Sequence, residues 1–151
     1  MQARPDDGIN AGIKAGIDAE LEQRLLQAAS QVRGHAHAPY SRFKVGAALL
    51  DEQGRIHVGC NVENAAYPQA LCAEAGALAA LVAAGGREVR AAVVVAEGTA
   101  PVTPCGGCRQ KLREFAAADT PVLVGDSRGL QRRYTMGSLL PESFGPGHLP
   151  A

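Results

Sequence analysis

Three cysteines and one glutamate constrain this chain more than any other feature. Cys72 stands two residues before Glu74, and Pro104 precedes a Cys-x-x-Cys pair formed by Cys105 and Cys108. A pair at this spacing in the first turn of a helix presents both sulfurs on one face. Cys72 also stands at a predicted helix start, where backbone N–H groups and the helix dipole favour the thiolate. The pattern therefore predicts a zinc ion held between two helix N-termini.

The number of ligands indicates what the metal is for. Structural zinc sites are usually closed by four protein ligands, whereas catalytic sites keep one position for water. The cysteine pattern leaves such a position, and Glu74 is close enough in sequence to reach it. A carboxylate so placed can take a proton from the water and pass it to a leaving group. We therefore predict one catalytic zinc ion per subunit, with Glu74 as the proton carrier.

Other uses of the cysteines stay open at this stage. The remaining cysteine, Cys60, lies on a predicted strand and could complete a structural four-thiolate site. A free cysteine in a core is nevertheless common. Thiol–disulfide chemistry at Cys105 and Cys108 is the other alternative, but it would not require Cys72 or Glu74. None of the histidines is expected to bind the metal.

Helical and apolar strand-like segments alternate along the chain. A helix is predicted from Asp18 as N-cap to Gly34, with Leu21, Leu25, Ala28 and Val32 on one face. Further helices are predicted over 72–84 and 105–117, and a short helical turn over 138–140. Strands are predicted over 45–50, 55–62, 91–96, 121–125 and 130–134, the first two joined as a hairpin. This order predicts an α/β fold with helices packed on a mixed sheet.

Length, charge and termini limit the classes of function. Residues 1–17 are rich in glycine and turn formers and are predicted to be a flexible tail, with residues 18–151 as one domain. The 15 basic and 15 acidic residues argue against a nucleic-acid partner. No run is long enough to span a membrane, and no secretory signal is evident. We therefore expect no membrane association and a cytoplasmic location, where cysteines stay reduced.

Further motifs accompany the cysteines in a fixed order. They read APYSRF at 38–43, VGAA at 45–48, GCNVENAAY at 59–67, PCGGCRQ at 104–110, LLP at 139–141 and FGP at 144–146. Cys-x-Glu followed by Pro-Cys-x-x-Cys also matches the signature of zinc nucleobase deaminases. Together these motifs resemble the small homotetrameric cytidine deaminases over about residues 18–148.

This resemblance implies a fold and an activity. The fold would be a three-layer α/β/α sandwich with a five-stranded mixed sheet. The reaction would be zinc-dependent hydrolysis of cytidine and deoxycytidine to uridine and deoxyuridine with release of ammonia, as in pyrimidine salvage. Glu74 would move protons to N3 of the base and then to the departing amine. The partners would be a small-molecule nucleoside and further copies of the chain, in a homotetramer that shares its active sites.

The resemblance also implies which side chains hold the substrate. Asn61 and Glu63 match positions that hydrogen-bond the ribose hydroxyls. Phe43 matches an aromatic that packs by the base, and Ala73 is carried over as a substrate-binding position. Phe144 matches a ring that reaches into a neighbouring subunit's pocket. Without the motifs, Asn61 and Glu63 would indicate a solvated sheet edge, and the two phenylalanines would indicate core packing.

One position departs from the family pattern. Members with three thiolate ligands commonly carry arginine directly after the catalytic glutamate, where this chain has Ala75. Three thiolates leave a net negative centre, which makes zinc a weaker Lewis acid. We predict that Arg109, together with the helix dipoles, supplies the compensating charge.

Three alternative functions stay open at the level of sequence. The chain could act on another cytosine nucleoside, such as an aminoacylated nucleoside antibiotic, although the Asn61 and Glu63 pair favours ordinary nucleosides. Polynucleotide editing would require room for flanking nucleotides and phosphates, which the neutral charge disfavours. A zinc-stabilised scaffold is the non-enzymatic alternative, in which Glu74 would have no chemical task.

Overall fold

A computed structural model describes residues 17–150 of the chain. These residues form a five-stranded mixed sheet with helices on both faces. The helices are α1 (Ala19–Arg33), α2 (Ala73–Ala83), α3 (Gly106–Arg113) and α4 (Met136–Leu139). The strands are β1 (Val45–Asp51), β2 (Ile56–Cys60), β3 (Val89–Ala96), β4 (Pro121–Asp126) and β5 (Gly129–Thr135). The predicted α/β fold with its layered mixed sheet is confirmed.

The predicted tail lies almost wholly outside the described residues, so its flexibility stays a prediction. Ile17, which the prediction included in the tail, is partly buried against the core beneath α1. Within residues 17–150, no helix combines the length and the apolar character needed to cross a bilayer.

Strand order brings two helix N-termini to one edge of the sheet. The order is β2-β1-β3-β4-β5, with β3 and β4 parallel and the other neighbours antiparallel. Parallel neighbours need a crossover, and here it contains α3, which starts after the end of β3. Since α2 runs back to the start of β3, its own N-terminus lies at that same edge. The topology therefore brings the starts of α2 and α3 together.

The face of the sheet beneath α1 is covered by apolar side chains of that helix. As predicted, Asp18 caps α1, and its Oδ1 accepts the N–H of Leu21 at 2.8 Å. Of the four positions predicted for the buried face, only Leu25 is buried, and the other buried positions of the helix are Leu26 and Ala29. Leu21 and Ala28 lie at the margin of this core. The side of α1 that packs on β1 and β3 is therefore rotated about the helix axis from the predicted side, toward Leu26 and Ala29.

The opposite face carries α2, α3 and α4, and α2 lies unusually close to β2. A Cβ atom at Gly59 would lie 2.3 Å from the N atom of Ala77 and 2.4 Å from the carbonyl oxygen of Ala73. Only a glycine on the strand permits this contact between helix and strand backbones. Because Ala73 opens α2, the contact fixes the position of the first helical turn.

Helix α3 is shorter than predicted, since it ends at Arg113 rather than near residue 117. The backbone leaves the helix because the carbonyl oxygen of Phe115 accepts the N–H of Val89 at 2.8 Å. Val89 is the first residue of β3, so this bond joins the end of the helix to the sheet. A distant hydrogen bond therefore overrides the local helical tendency of the alanine-rich segment.

Candidate metal centre and active site

The three predicted ligands converge at the edge where α2 and α3 begin. The sulfurs of Cys72, Cys105 and Cys108 lie within 4.8 Å of one another. Cys72 is the N-cap of α2, and Cys105 is the N-cap of α3. Cys108 follows in the first turn of α3 and is buried. All are free thiols, so the two helix starts present a cluster without a disulfide.

This cluster fits a zinc ion by its donor atoms and spacing. Two sulfurs on one tetrahedral zinc ion, each about 2.3 Å from it, lie about 3.8 Å apart. The sulfur separations in the structure therefore need to close by about 1 Å at most. Cys60 lies half-buried on β2 and does not belong to the group of potential ligands found within residues 17–150. The donor set is thus three thiols, as a catalytic site requires.

The three thiols differ in how readily they ionise. Burial raises the pKa of Cys72, and it raises the pKa of Cys108 strongly, where the charge of Glu74 adds to the effect. Burial also opposes ionisation of Cys105, but hydrogen bonds with Cys108 and Cys72 outweigh it and lower the pKa of that thiol. A cation must therefore displace protons from the cluster when it binds, which makes affinity dependent on pH.

Glu74 lies beside the sulfurs and is shielded from water. It occupies the first turn of α2, and 6% of its surface is exposed. Burial raises the pKa of its carboxyl group, against opposing effects from its own N–H, the thiol of Cys108 and the charge of Lys111. A carboxyl group with a raised pKa exchanges protons more readily near neutral pH. Its position and environment therefore suit proton transfer.

A pocket of about 250 Å³ opens in front of this cluster. Its lining includes the predicted site residues Phe43, Asn61, Cys72, Ala73, Glu74 and Cys105. The rest of the lining is mostly apolar and comprises Val45, Ala70, Leu71, Val94, Val102 and Thr103. A small apolar pocket with a few polar groups at one end suits a flat heterocycle.

Sequence reasoning missed this apolar wall, although partial signals existed. Val94 lies in the apolar run of β3, which predicts burial but not which residues face a pocket. Thr103 stands directly before the Pro104 motif, and Leu71 directly before Cys72. Their proximity to the ligands was the signal that could have identified them.

The two predicted ribose-binding residues hold the loop that carries Phe43. The Asn61 side chain accepts the N–H of Val45 at 2.8 Å and donates to the carbonyl oxygen of Phe43 at 2.8 Å. Glu63 accepts hydrogen bonds from the Ser41 hydroxyl and from the N–H groups of Tyr40 and Ser41. These bonds hold the pKa of Glu63 below its usual value, and the bond from the Ser41 hydroxyl has the largest effect. Asn61 therefore lines the pocket itself, whereas Glu63 is not among the lining residues and contacts the loop that leads to Phe43.

Phe144 does not join the residues that line the pocket of its own chain. Its ring is 58% exposed and stacks on His148, with 5.2 Å between the ring centres. The Gln110 amide donates to its carbonyl oxygen at 3.0 Å, which anchors this segment to α3. The ring is thus held outward on the surface.

Arg109 connects the metal-binding turn to the C-terminal part of the fold. Its Nε donates to the carbonyl oxygen of Pro104 at 2.7 Å, and its Nη1 to that of Leu139 at 2.8 Å. Its Nη2 donates to Oγ1 of Thr103 at 2.8 Å. Across residues 17–150, its hydrogen bonds go to these neutral oxygens and none goes to a cysteine sulfur. The guanidinium therefore holds the segment that leads into Cys105.

Comparisons with known proteins agree with this geometry. A family profile described as "Cytidine and deoxycytidylate deaminase zinc-binding region" matches residues 19–124. The cytidine deaminase of Halalkalibacterium halodurans is 46% identical over 122 residues, which cover 81% of this chain and 92% of that protein. That of Sporosarcina psychrophila is 43% identical over 122 residues, covering 81% and 90%. A crystal structure of cytidine deaminase from Burkholderia pseudomallei matches with a TM-score of 0.77 and 44% identity, covering 81% and 98%. The profile match includes every residue of the cluster.

Proposed function

This chain belongs to the cytidine and deoxycytidylate deaminase family, and from that premise we propose that it hydrolyses cytidine and deoxycytidine to uridine and deoxyuridine, releasing ammonia. One observation carries the proposal. The sulfurs of Cys72, Cys105 and Cys108 converge beside buried Glu74, where the pocket opens. A structural zinc site would need neither the pocket nor a buried carboxyl group.

The residues of the cluster divide the chemistry between them. Cys72, Cys105 and Cys108 would hold one zinc ion, which supplies a water molecule activated for attack at neutral pH. Glu74 would accept a proton from the attacking water at its carboxylate and deliver it to N3 of the base. It would then take the remaining proton of the hydroxyl added to the base and pass it to the departing amine. Burial supports this role, because it keeps bulk water from exchanging with the carboxyl group during the reaction.

The pocket walls would orient the nucleoside. The apolar lining and Phe43 suit the faces of a pyrimidine, and Ala73 leaves room beside Glu74. We propose that Asn61 and Glu63 bind the ribose hydroxyls through the lone pairs that their loop contacts leave free. Their present hydrogen bonds would keep these oxygens fixed before the substrate arrives.

We further propose that the chain forms a homotetramer with shared active sites. Large apolar side chains are exposed, among them Phe43 and Leu71 in the pocket lining, and Tyr40 and Tyr67, whose rings contact each other. Exposed apolar surface favours an interaction face when such side chains adjoin one another. Helix α2 also presents alanines outward rather than charged residues. A second copy covering these surfaces could bring its own Phe144 to the pocket.

The proposed setting is pyrimidine salvage in the cytoplasm. Three ligand thiols must stay reduced to hold zinc, and reducing compartments keep them so. The balanced charge supports a nucleoside rather than a polynucleotide as the substrate.

A turnover assay with and without a chelator tests the proposed function. The protein is incubated with cytidine and with deoxycytidine, and the ultraviolet change that accompanies uridine formation is followed. Chelation should abolish turnover, and added zinc should restore it. A Cys60→Ser variant serves as the control and should keep both zinc and activity, since Cys60 lies outside the cluster. Full turnover by the metal-free protein would refute the proposal.

A further inference from the structure

A zinc ion held by three thiolates needs a nearby positive charge, and the hydrogen bonds of Arg109, the residue predicted to supply it, go to other groups. Zinc with three thiolates is net negative, and the position after Glu74 is Ala75, which brings no charge. Arg109 directs three of its nitrogen atoms to the neutral oxygens of Thr103, Pro104 and Leu139. A second cation close to the cluster would therefore be needed to offset the negative charge of the zinc centre.

Lys111 extends back over the turn that carries two of the ligands. It lies three residues after Cys108, a spacing that puts two Cβ atoms about 5–6 Å apart on one helix face. Helical side chains point toward the N-terminus. Accordingly, Nζ of Lys111 lies 3.6 Å from the position that a Cβ atom of Gly107 would occupy. The glycines at 106 and 107 place no side chain over this turn.

The position of this ammonium group is unfavourable unless negative charge lies nearby. Lys111 belongs to the last turn of α3, but its ammonium group lies back over Gly107 in the first turn. The N-terminus of a helix is its positive pole, so the helix dipole repels a cation at that place. Across residues 17–150, Lys111 forms no hydrogen bond or ion pair that would hold it there. Its charge does act on Glu74. Thiolates at Cys105 and Cys108 would provide the missing attraction.

We propose that the ammonium group of Lys111 offsets the negative charge of the three-thiolate zinc centre in this chain. The inference rests on the proposed zinc site and adds a residue that holds the metal through charge rather than by coordination. Lys111 is exposed, so its effect must be partly screened by solvent and must weaken as salt is added.

Zinc affinity measured without catalysis tests this role. The variants are Lys111→Met, which removes the charge but keeps a long apolar stem, and Lys111→Arg, which keeps the charge. Arg24→Met is the matched control, because it removes an exposed positive charge from α1 on the other face of the sheet. Zinc dissociation constants are obtained by competition with a chromophoric chelator. Measurements span ionic strengths over which the Debye length falls from about 30 Å to about 3 Å.

We expect Lys111→Met to weaken zinc binding by about 3- to 10-fold at low ionic strength, as for one partly solvated charge near the centre. The difference from the wild type should shrink at high ionic strength, and Lys111→Arg should restore wild-type affinity. Arg24→Met should match the wild type throughout. Unchanged affinity in Lys111→Met, or a loss that neither salt nor arginine corrects, would overturn the proposal. A wild-type protein that does not bind zinc would instead refute the proposed function itself.

Discussion

At the scale of single residues, Glu74 is the side chain whose surroundings most clearly indicate a chemical task. It is buried next to the thiols, two residues after Cys72, and no arginine or lysine forms an ion pair with it within residues 17–150. A carboxyl group in a core without such a partner is costly. It lies in the first turn of α2, directly after Ala73, whose side chain is also buried.

Replacement of Glu74 by glutamine should therefore distinguish an enzymatic function from a scaffold function. We expect Glu74→Gln to lower turnover of cytidine by at least about 100-fold, since positioned proton transfer contributes 10²- to 10⁴-fold. Zinc content, measured by atomic absorption, should be unchanged. Glu114→Gln, at an exposed glutamate just after α3, is the control and should be fully active. Retained activity in Glu74→Gln would favour the scaffold function.

Substitutions of Arg109 distinguish a role through its positive charge from a role through its hydrogen bonds to the backbone. Lysine keeps the charge but cannot donate from three fixed nitrogen atoms to separate oxygens. We expect Arg109→Lys to lose nearly as much turnover as Arg109→Gln, about 10- to 100-fold, because the segment before Cys105 would shift. Steady-state rates across pH measure this. Full rescue by lysine, together with a shifted pH profile only in the glutamine variant, would show that charge compensation dominates.

The sequence predicted the site residues unevenly, for a reason that these examples show. The cysteines and Glu74 belong to short motifs on two helix starts, so local spacing predicts their arrangement within each turn, whereas the strand order brings the two turns together. The contacts of Arg109 could not be predicted in this way, since Leu139 lies 30 residues away. The contacts of Asn61 and Glu63 with the loop before β1 likewise depend on tertiary structure.

At the scale of elements, the contact of α2 with β2 determines where the cluster forms. Adding a methyl group at Gly59 would place it 2.3 Å from the backbone of Ala77, so the helix would have to move. A Cβ atom at Gly76, on the facing helix, would have its nearest contact at 3.6 Å, which is an ordinary van der Waals distance. One added methyl group should thus have opposite effects at the two positions.

We expect Gly59→Ala to destabilise the fold by about 1–3 kcal/mol or more through overpacking. It should also weaken zinc binding, because Cys72 moves with α2. Gly76→Ala should be neutral or stabilising by up to about 1 kcal/mol, since alanine favours a helix. Thermal unfolding and zinc titration of both variants measure these effects. Equal stability of the two variants would contradict the close contact.

The β1–β2 hairpin depends on a buried carboxylate at its corner. Asp51 is inaccessible to solvent and accepts hydrogen bonds from His57 at 2.8 Å, from Nε of Arg55 at 2.7 Å, and from the N–H groups of Gln53 and Arg55. Burial alone would raise the pKa of Asp51, but these bonds, led by that of His57, hold it well below its usual range. Ionised Asp51 therefore stabilises the folded state.

This depressed pKa gives a stability effect with a definite sign. Stabilisation is present above the unfolded-state pKa of about 3.9 and is lost as pH falls through it toward the folded-state value. We expect Asp51→Asn to be less stable than the wild type by about 1–3 kcal/mol at neutral pH. The gap should narrow below about pH 4. Denaturant unfolding at a series of pH values measures this, and a constant gap would contradict it.

Element boundaries were predicted where local chemistry sets them. Asp18 caps α1 as expected, and α2 stops before Gly85, whose φ of +89° suits glycine. The end of α3 was wrong because the bond from Val89 to Phe115 joins segments that are distant in sequence. The strands were located along the sequence, whereas their union in one five-stranded sheet came only from the family resemblance, and their order was not predicted.

At the scale of the whole molecule, the outward ring of Phe144 is the feature on which the proposed shared site depends. The ring is exposed and does not line its own pocket, while the exposed apolar side chains of Phe43 and Leu71 do line it. A site assembled from two subunits has a consequence for mixtures of variants, because each subunit can supply what its neighbour lacks.

We expect Phe144→Ala to raise KM for cytidine more than it lowers kcat, since the ring would contact bound substrate rather than the reacting atoms. A mixture of Phe144→Ala and Glu74→Gln subunits, exchanged under mild denaturation, should regain activity beyond the sum of the separate preparations. In hybrids, a subunit with intact Glu74 meets a neighbour with intact Phe144. Size-exclusion chromatography with light scattering reports the assembly. Absence of complementation in confirmed hybrids would place the action of Phe144 within its own chain.

The start of α2 carries both a proposed metal ligand and the proposed proton carrier, while the other two proposed ligands belong to α3. Cys72 and Glu74 therefore move together whenever that helix is displaced. Descendants of this architecture that acquire new substrates have little freedom along α2. Their divergence is expected to accumulate in the pocket wall, at positions such as Val102 and Leu71, where a changed side chain alters the shape of the pocket but not the chemistry.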